Sequence, residues 1–400
     1  MSEQPLYLVM VMPDSNNNKF YRMIPNGDTF TVEYGRIGVT CNTASYPIGM
    51  WHKKLNEKLK KGYIDQTRLV ASKVVEAKKD CKYLDIPIVS IAKIVARLQS
   101  MARQAISENY TVTSKRVTQT MIDEAQDLIN RLNSTDGNKE LFNHILVDLF
   151  RTIPRKMGHV SDYLVHTDRD FSKIMQREQD LLDVMRGQVV QDVIGVDEED
   201  DTPDAKQTLL EALGLQIFEI DNTEKNIILS KLEGLSNMFT NAWRVVNLKT
   251  QTNFDNFIIS SGIKNKQLFW HGSRNENWWS ILNSGLILRP NAITTGKMFG
   301  DGIYFAPSAK KSFGYTSYHG TYWARGNQSL GYMSLFDVAY GVPYHVHTWG
   351  YDNYFNYEKL QLAQKGANCL HAHAGQILRN DEVVIYKENQ ITIKYLVELS

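Results

Sequence analysis

Four stretches of the chain hold residue types that could do chemistry. Phe269-Trp270-His271-Gly272-Ser273-Arg274 puts a histidine just past a strand-like run, beside a glycine that lets a ligand approach the backbone closely. From Gly296 to Ala306 runs a glycine-studded loop that enters a strand carrying Tyr304. It is not a Rossmann or phosphate-binding loop, because no helix follows in the required register. Asn380-Asp381-Glu382 opens a further strand over 383–386 with carboxylates. Cys369, His371 and His373 alternate along an extended segment, so both imidazoles face one side. A fourth ligand at suitable spacing is missing, and no metal site is expected. Taken singly, the other three are explained by a capped strand end, a core tyrosine and a solvated carboxylate.

The elements that must position these residues lie in 205–400, where aromatics and glycines crowd together. The patterning predicts strands over 215–220, 243–248, 267–270, 303–306, 335–342, 382–386 and 395–399, and a helix over 224–235. One short helix does not fit between every strand pair, so a mixed or antiparallel sheet is expected. Five consecutive acids, Asp197 to Asp201, then Thr202, Pro203 and Asp204, mark an exposed linker over 196–204.

Residues 82–195 carry four apolar stripes at helical spacing, among them Ile88, Ile91, Ile94, Val95 and Leu98, and Val117, Met121, Ile122, Ala125 and Ile129 with Ser114 as cap. Such faces bury one another in a helical bundle. Residues 1–80 read as a small α+β unit with strands over 6–11, 19–24 and 29–34. A helix follows with Ile48, Trp51, Leu55 and Leu59 as its inward stripe and Gly62 at its end. Its other side bears Lys53, Lys54, Lys58, Lys60 and Lys61.

The chain has 400 residues, room for two to four domains, and the pattern resolves to three: 1–80, 82–195 and 205–400. Its 45 basic and 44 acidic residues leave a net charge of +1, which excludes attachment to nucleic acid or membrane by bulk charge. Residues 1–80 nevertheless hold twelve basic against eight acidic residues, which raises nucleic acid as a local partner. Cys41, Cys81 and Cys369 are too scattered for a disulfide framework or a paired-cysteine zinc site, and suit a reducing interior. No apolar run is long enough to span a bilayer, and the apolar stretch 6–12 lacks the basic segment of a signal peptide. The expectation is a soluble intracellular protein with no membrane partner.

In combination and in this order, the His-Gly-Ser-Arg run, the Gly-x-Met-Phe-Gly-x-Gly-Ile-Tyr-Phe-Ala run and the late glutamate before a strand resemble the catalytic domain of the poly(ADP-ribose) polymerase family. That family's signature is a histidine, a tyrosine and a glutamate on three separate strands. Val32-Glu33-Tyr34-Gly35-Arg36-Ile37-Gly38 with the lysine-rich helix resembles a WGR domain, Tyr34 standing in the tryptophan position. The helical middle resembles the regulatory domain that precedes the transferase in DNA-dependent members. The implied fold is α+β and multidomain: a small WGR-like α+β domain, an all-α bundle, and a transferase domain with a mixed or antiparallel sheet.

The resemblance implies NAD+ as donor, with no cofactor beyond it. Nicotinamide leaves as a neutral ring, so the demand is to stabilise positive charge developing on the ribose, as in glycoside cleavage. A preorganised carboxylate does so electrostatically. By resemblance that is Glu382, which also binds the nicotinamide-ribose 2′-hydroxyl and helps orient an acceptor. His271 takes the adenosine ribose. Tyr304 and Tyr315 sandwich the nicotinamide, and the Gly272 backbone and Ser312 hydroxyl fix its carboxamide. Ser273 and Asn277 match adenosine-side positions, Lys311 stands where the family has a lysine, and Met298 matches an acceptor-side methionine. Arg289 follows Gly285-Leu286 one residue later than the family's adenosine-contacting arginine. Where elongating members often carry a tyrosine and an asparagine before the glutamate, this chain has Asn380 and Asp381.

The WGR resemblance implies binding at nicked or broken DNA, with Tyr34 packing on an exposed terminal sugar or base, Gly35 beside it, and Arg36 bridging to the helical domain or reaching phosphate. The three-part order implies a bundle that restricts NAD+ entry until DNA docks. The expected activity is break-stimulated transfer of ADP-ribose to proteins, itself included, with polymerisation. The alternatives are single ADP-ribose transfer without elongation, or a break-binding scaffold with weak activity. Residence is nuclear if the source is eukaryotic and cytoplasmic otherwise.

Overall fold

The computed structural model describes residues 3–67, 83–111, 114, 117–135, 137–194, 207–288, 298–318, 328–348, 354–375 and 378–400, with backbone alone over 190–194. The expected linker at 196–204 and Arg289 lie outside the described residues. The chain divides into two compact units, Met1–Cys81 with Arg103–Val196, and Lys82–Ala102 with Asp197–Ser400.

In the first unit, β1 (Leu6–Met12), β2 (Asn17–Asn26), β3 (Thr29–Arg36), β4 (Asn42–Pro47) and β5 (Ile64–Asp65) form an antiparallel sheet in the order β4-β3-β2-β1-β5. β2 and β3 join through the two-residue turn Gly27-Asp28, and Gly27 has φ +64°, the positive value that tight hairpins need. Helix α1 (Trp51–Lys60) presses Trp51 edge-on against Phe30, ring centroids 5.0 Å apart, over a core of Leu8, Met10, Tyr21, Met23 and Val32.

The inward stripe expected on α1 holds at Ile48, Trp51 and Leu55, which pack on this core, and is corrected at Leu59, which is exposed. Two lysines of the expected outer side also cover rings: the ammonium groups of Lys54 and Lys58 lie 4.5 Å over Tyr46 and 4.1 Å over Tyr21. A lysine stem covers apolar surface as well as a leucine does while its charge meets the negative ring face.

Three helices complete this unit: α3 (Gln119–Leu132), α4 (Lys139–Thr152) and α5 (Asp168–Ile194). The preceding α2 (Val89–Asn109) has its first part in the second unit. The cap expected from Ser114 is supplied by Thr118, whose side chain accepts the Met121 N–H at 3.2 Å. Met121, Ile122, Ala125 and Ile129 of α3, Phe142, Ile145, Leu146 and Phe150 of α4, and Ile174, Met175, Leu182 and Met185 of α5 are buried, as their spacing requires.

In the second unit, β6 (Leu215–Glu219), β7 (Phe239–Asn247), β14 (Ile391–Leu399), β10 (Gly331–Ala339) and β8 (Lys266–Gly272) form an antiparallel sheet in that order. A smaller mixed sheet has the order β11 (Pro343–Val346), β12 (Cys369–Ala372), β13 (Glu382–Ile385), β9 (Ile303–Phe305), with β11 and β12 parallel. Trp270 and Ala306 exchange backbone hydrogen bonds of 2.9 Å and so join β8 of one sheet to the end of β9 of the other.

The strand expected over 335–342 begins and ends earlier, and Gly341 turns the chain beyond it with φ +57°. Helix α8 (Leu248–Ser261) and strands β4, β11 and β12 were not legible from patterning. Shorter helices include α6 (Leu209–Ala212), α7 (Asn222–Leu232), α9 (Trp278–Ser284), α10 (Ala309–Phe313) and α11 (Tyr357–Ala363). Among the described residues, no helix is long and apolar enough to cross a membrane.

Candidate active site

The junction of the two sheets brings the chemistry-bearing residues together. His271 is the penultimate residue of β8, within the strand and not past it. Its Nδ1 lies 3.0 Å from the backbone oxygen of Tyr304 on β9. A carbonyl oxygen only accepts, so Nδ1 carries the proton and donates. Burial lowers the pKa of His271, against the pull of that carbonyl. The ring is therefore neutral near pH 7 and its Nε2 is an acceptor. Trp278, Phe305 and Phe336 wall the imidazole edge-on, with centroids 5.8–6.4 Å away.

Tyr304 is held at both ends. Its hydroxyl accepts the Phe299 N–H at 2.9 Å and donates to the Gly300 carbonyl at 3.1 Å. Burial raises its pKa far above the tyrosine norm, so it stays protonated. The preceding loop is pinned by Tyr386, which donates to the Phe299 carbonyl at 2.6 Å. At Gly300 a Cβ would overlap the Phe355 backbone, and φ is +84°, so only glycine fits there.

Glu382 opens β13, whose Val384 pairs with Tyr304. It is 5% exposed, which corrects the solvated reading of a carboxylate at a strand's start. Lys311 of α10 approaches its Oε1 at 2.5 Å. The other oxygen, Oε2, is buried with no hydrogen-bond partner. A buried carboxylate oxygen without a donor is costly, and the cost falls when a ligand hydroxyl supplies one. Met298 is half-buried against the Phe299 cluster.

Gly272 packs directly on α10: a Cβ there would overlap the Ser312 carbonyl. This close approach, rather than backbone freedom, is what requires glycine. Ser312 is buried, and Tyr315, one turn on, is 39% exposed with its N–H on the Ser312 carbonyl at 3.0 Å. Gly272→Ala is therefore expected to push α10 from β8. It should lower stability by about 1–3 kcal/mol and raise KM for NAD+, read by denaturant unfolding and initial rates. Unchanged unfolding and KM would show that the two elements are not in this contact.

On the next turn, Asn277 donates to the Ser273 hydroxyl at 3.0 Å, and its Oδ1 is buried without a partner. Sequence reasoning missed Asn275. Its N–H binds Ser317 Oγ at 2.8 Å, and its side chain binds Gln328 Oε1 at 2.8 Å and the Leu330 carbonyl at 3.0 Å, tying the segment after His271 to β10. Three asparagines in nine residues, Asn275, Asn277 and Asn283, blurred that signal.

In the first unit, Tyr34 is 36% exposed, its ring 6.0 Å from Tyr21. Lys58 lies between Tyr21, Tyr34 and Tyr63 at 4.1, 5.9 and 5.4 Å from their centroids. Gly35 has Cys41 and Thr40 backbone atoms 3.5 Å from where a Cβ would stand. Arg36 donates to the carbonyls of Asn16 at 2.9 Å, of Met157 at 3.4 Å and of Gly158. Its guanidinium thus bridges to the segment between α4 and α5.

Cys369, His371 and His373 gain a neighbour that spacing along the chain did not offer: His345 of β11 lies opposite His371, and donor atoms of His345, His371 and His373 fall within 4.8 Å of one another. Cys369 is not among them. Its thiol donates to the Tyr340 carbonyl at 3.3 Å, and burial pushes its pKa up to about 12.

Comparison with known proteins matches two regions of the chain to known families. A model of the poly(ADP-ribose) polymerase catalytic domain matches residues 226–400, and a WGR domain model matches 4–69. Protein 101L of Invertebrate iridescent virus 6 is 35% identical over 192 residues, 47% of this chain and 80% of its own length. Poly [ADP-ribose] polymerase 2-B of Oryza sativa subsp. japonica is 24% identical over 359 residues, 82% of this chain and 56% of its own length. The protein mono-ADP-ribosyltransferase PARP3 of Homo sapiens is 27% identical over 223 residues, 54% of this chain and 40% of its own length.

Proposed function

Because the chain belongs to the poly(ADP-ribose) polymerase family and is an NAD+ ADP-ribosyltransferase, we propose that broken or nicked DNA stimulates it and that it extends ADP-ribose into chains on proteins, itself included. The observation that carries the reading is Glu382: buried, with one oxygen on Lys311 and the other awaiting a donor. In this mechanism the 2′-hydroxyl of the nicotinamide ribose donates to Oε2. As the glycosidic bond to nicotinamide lengthens, positive charge spreads over the ribose, and the carboxylate stabilises it in a site of low dielectric. Nicotinamide departs with the bonding electron pair as a neutral ring, so no strong acid is required. The acceptor nucleophile, oriented by Glu382, then bonds to the ribose carbon and gives up its proton to solvent.

The donor is held along its length. His271 Nε2 accepts from the adenosine ribose, and Ser273 and Asn277, whose Oδ1 lacks a partner, face the adenosine. The Tyr304 and Tyr315 rings sandwich the nicotinamide, an offset-stacked arrangement suited to a flat heterocycle. The Gly272 backbone and Ser312 hydroxyl hold its carboxamide. Met298 stands on the acceptor side, and Arg289 is assigned an adenosine contact from sequence position alone.

Elongation is favoured by the complete set of His271, Tyr304 and Glu382. A second reading, single transfer, is favoured by the likeness to a protein named as a mono-ADP-ribosyltransferase and by Asp381, whose carboxylate is taken up by His371 at 2.9 Å. Labelled NAD+ and a denaturing gel separate them: a ladder of lengthening products is expected, and a single discrete shift at long times would establish the second reading.

A further inference from the structure

The four-stranded sheet has two chemically different faces. Cross-strand pairing sets Tyr304 opposite Val384 and Glu382 opposite Ala372, so Tyr304 and Glu382 share one face. His371 pairs with Val383 and with His345, so by alternation those residues, Asp381 and His373 share the other. The chain has ten histidines, and four of them, His345, His347, His371 and His373, meet on this second face.

The imidazoles present nitrogen to nitrogen. His345 Nδ1 lies 2.7 Å from His373 Nε2, and the rings of His371 and His373 stack at 4.4 Å. Asp381 Oδ2 lies 2.9 Å from His371 Nε2 and 3.3 Å from His373 Nδ1. Its other oxygen accepts the Ala374 N–H at 2.7 Å, which fixes the carboxylate. The Asp381 carboxylate only accepts, so without a metal His371 carries its proton on Nε2 and its Nδ1 accepts from the Tyr340 hydroxyl at 2.6 Å; a cation would take the place of the Nε2 proton, and the hydroxyl oxygen can then accept from a protonated Nδ1.

We propose that His345, His371 and His373, with Asp381 as fourth donor, form a Zn2+ site on the face of this sheet opposite Glu382 and Tyr304. Three imidazoles and a carboxylate are a donor set that zinc takes in a tetrahedral arrangement. A single proton can satisfy the His345–His373 contact, but further protons would set like charges side by side; a dication satisfies all three lone pairs and the carboxylate together. Bridging β11 to β12 and to the residue before β13, zinc would tie the edge of the sheet to the strand that carries Glu382. His347 stacks on His373 at 4.4 Å but falls outside the donor group, so it serves as an internal control.

The test uses the full chain, stripped with chelator, and Zn2+ alone without NAD+. Calorimetry and competition with a chromophoric chelator are expected to give one Zn2+ per chain. His345→Ala and His373→Ala should each weaken binding about 100-fold, and Asp381→Asn about 10-fold or more, while His347→Ala stays within about threefold. Co2+ in place of Zn2+ should give the visible absorption of a four-coordinate centre. Zn2+ should also raise the thermal midpoint of the wild type but not of folded His373→Gln, which keeps the test decisive if an alanine variant unfolds. No stoichiometric binding, unchanged affinity in His345→Ala and His373→Ala, or an equal loss in His347→Ala would overturn the site. The binding assay contains no NAD+, so its failure leaves the transferase reading standing, and an inactive chain that binds zinc does the converse.

Discussion

Glu382→Gln is expected to lower nicotinamide release from NAD+ by about 10²–10³-fold with little change in KM. The substitution keeps the shape and removes the charge. In water that charge would be screened, but Glu382 is 5% exposed and sits near the half-buried Tyr304, where a fixed carboxylate acts on a nearby cation with far less attenuation. The reactant carries little positive charge on the ribose and the transition state carries much, so the lost interaction is one made mainly in the transition state. Lys311 loses its counter-ion at 2.5 Å in the variant, and the uncompensated ammonium adds repulsion to the same developing charge. Turnover within threefold of wild type, in a variant that unfolds at the same denaturant concentration, would remove Glu382 from the chemistry.

Addition of nicked or broken DNA at low salt is expected to raise turnover between about 5-fold and 150-fold, the range that ordinary coupling energies span. The stimulation should fade as salt rises, because each phosphate contact releases condensed counterions. Tyr34→Ala should abolish most of it while leaving DNA-free turnover unchanged. Tyr34 offers an exposed ring backed by Lys58, a combination suited to a sugar or base next to phosphate. Arg36 contributes differently, since its donors already serve the carbonyls of Asn16, Met157 and Gly158. Equal turnover with and without DNA at low salt would sink the coupling.

Much of the fold was legible because its signals are local. Strand-like runs marked β1 and β2, alternation marked β3, and apolar stripes at helical spacing marked the buried faces of the bundle helices. The signals that failed depend on partners distant in sequence. On α1, a lysine stem covers an aromatic sheet as a leucine does, so polarity alone put Lys54 and Lys58 on the solvent side and Leu59 on the inner one. Glu382 looks solvated until Lys311, 71 residues earlier, is brought against it. His345 looks like a lone surface histidine until a parallel pairing sets it beside His371, and no pattern within β11 announces that pairing.

The seam between the two sheets has a consequence for where one proton sits. His271 lies on one side of it and the Tyr304 carbonyl on the other, next to the Trp270–Ala306 exchange of hydrogen bonds. If the sheets slipped by even part of a residue, that carbonyl would leave Nδ1, and the imidazole could move its hydrogen to Nε2. The lone pair offered to the donor nucleotide would become a hydrogen facing a hydrogen. Alignment of two β-sheets is thereby converted into the tautomer of a single ring, and a mechanical property of the scaffold becomes a yes-or-no chemical state at the ligand.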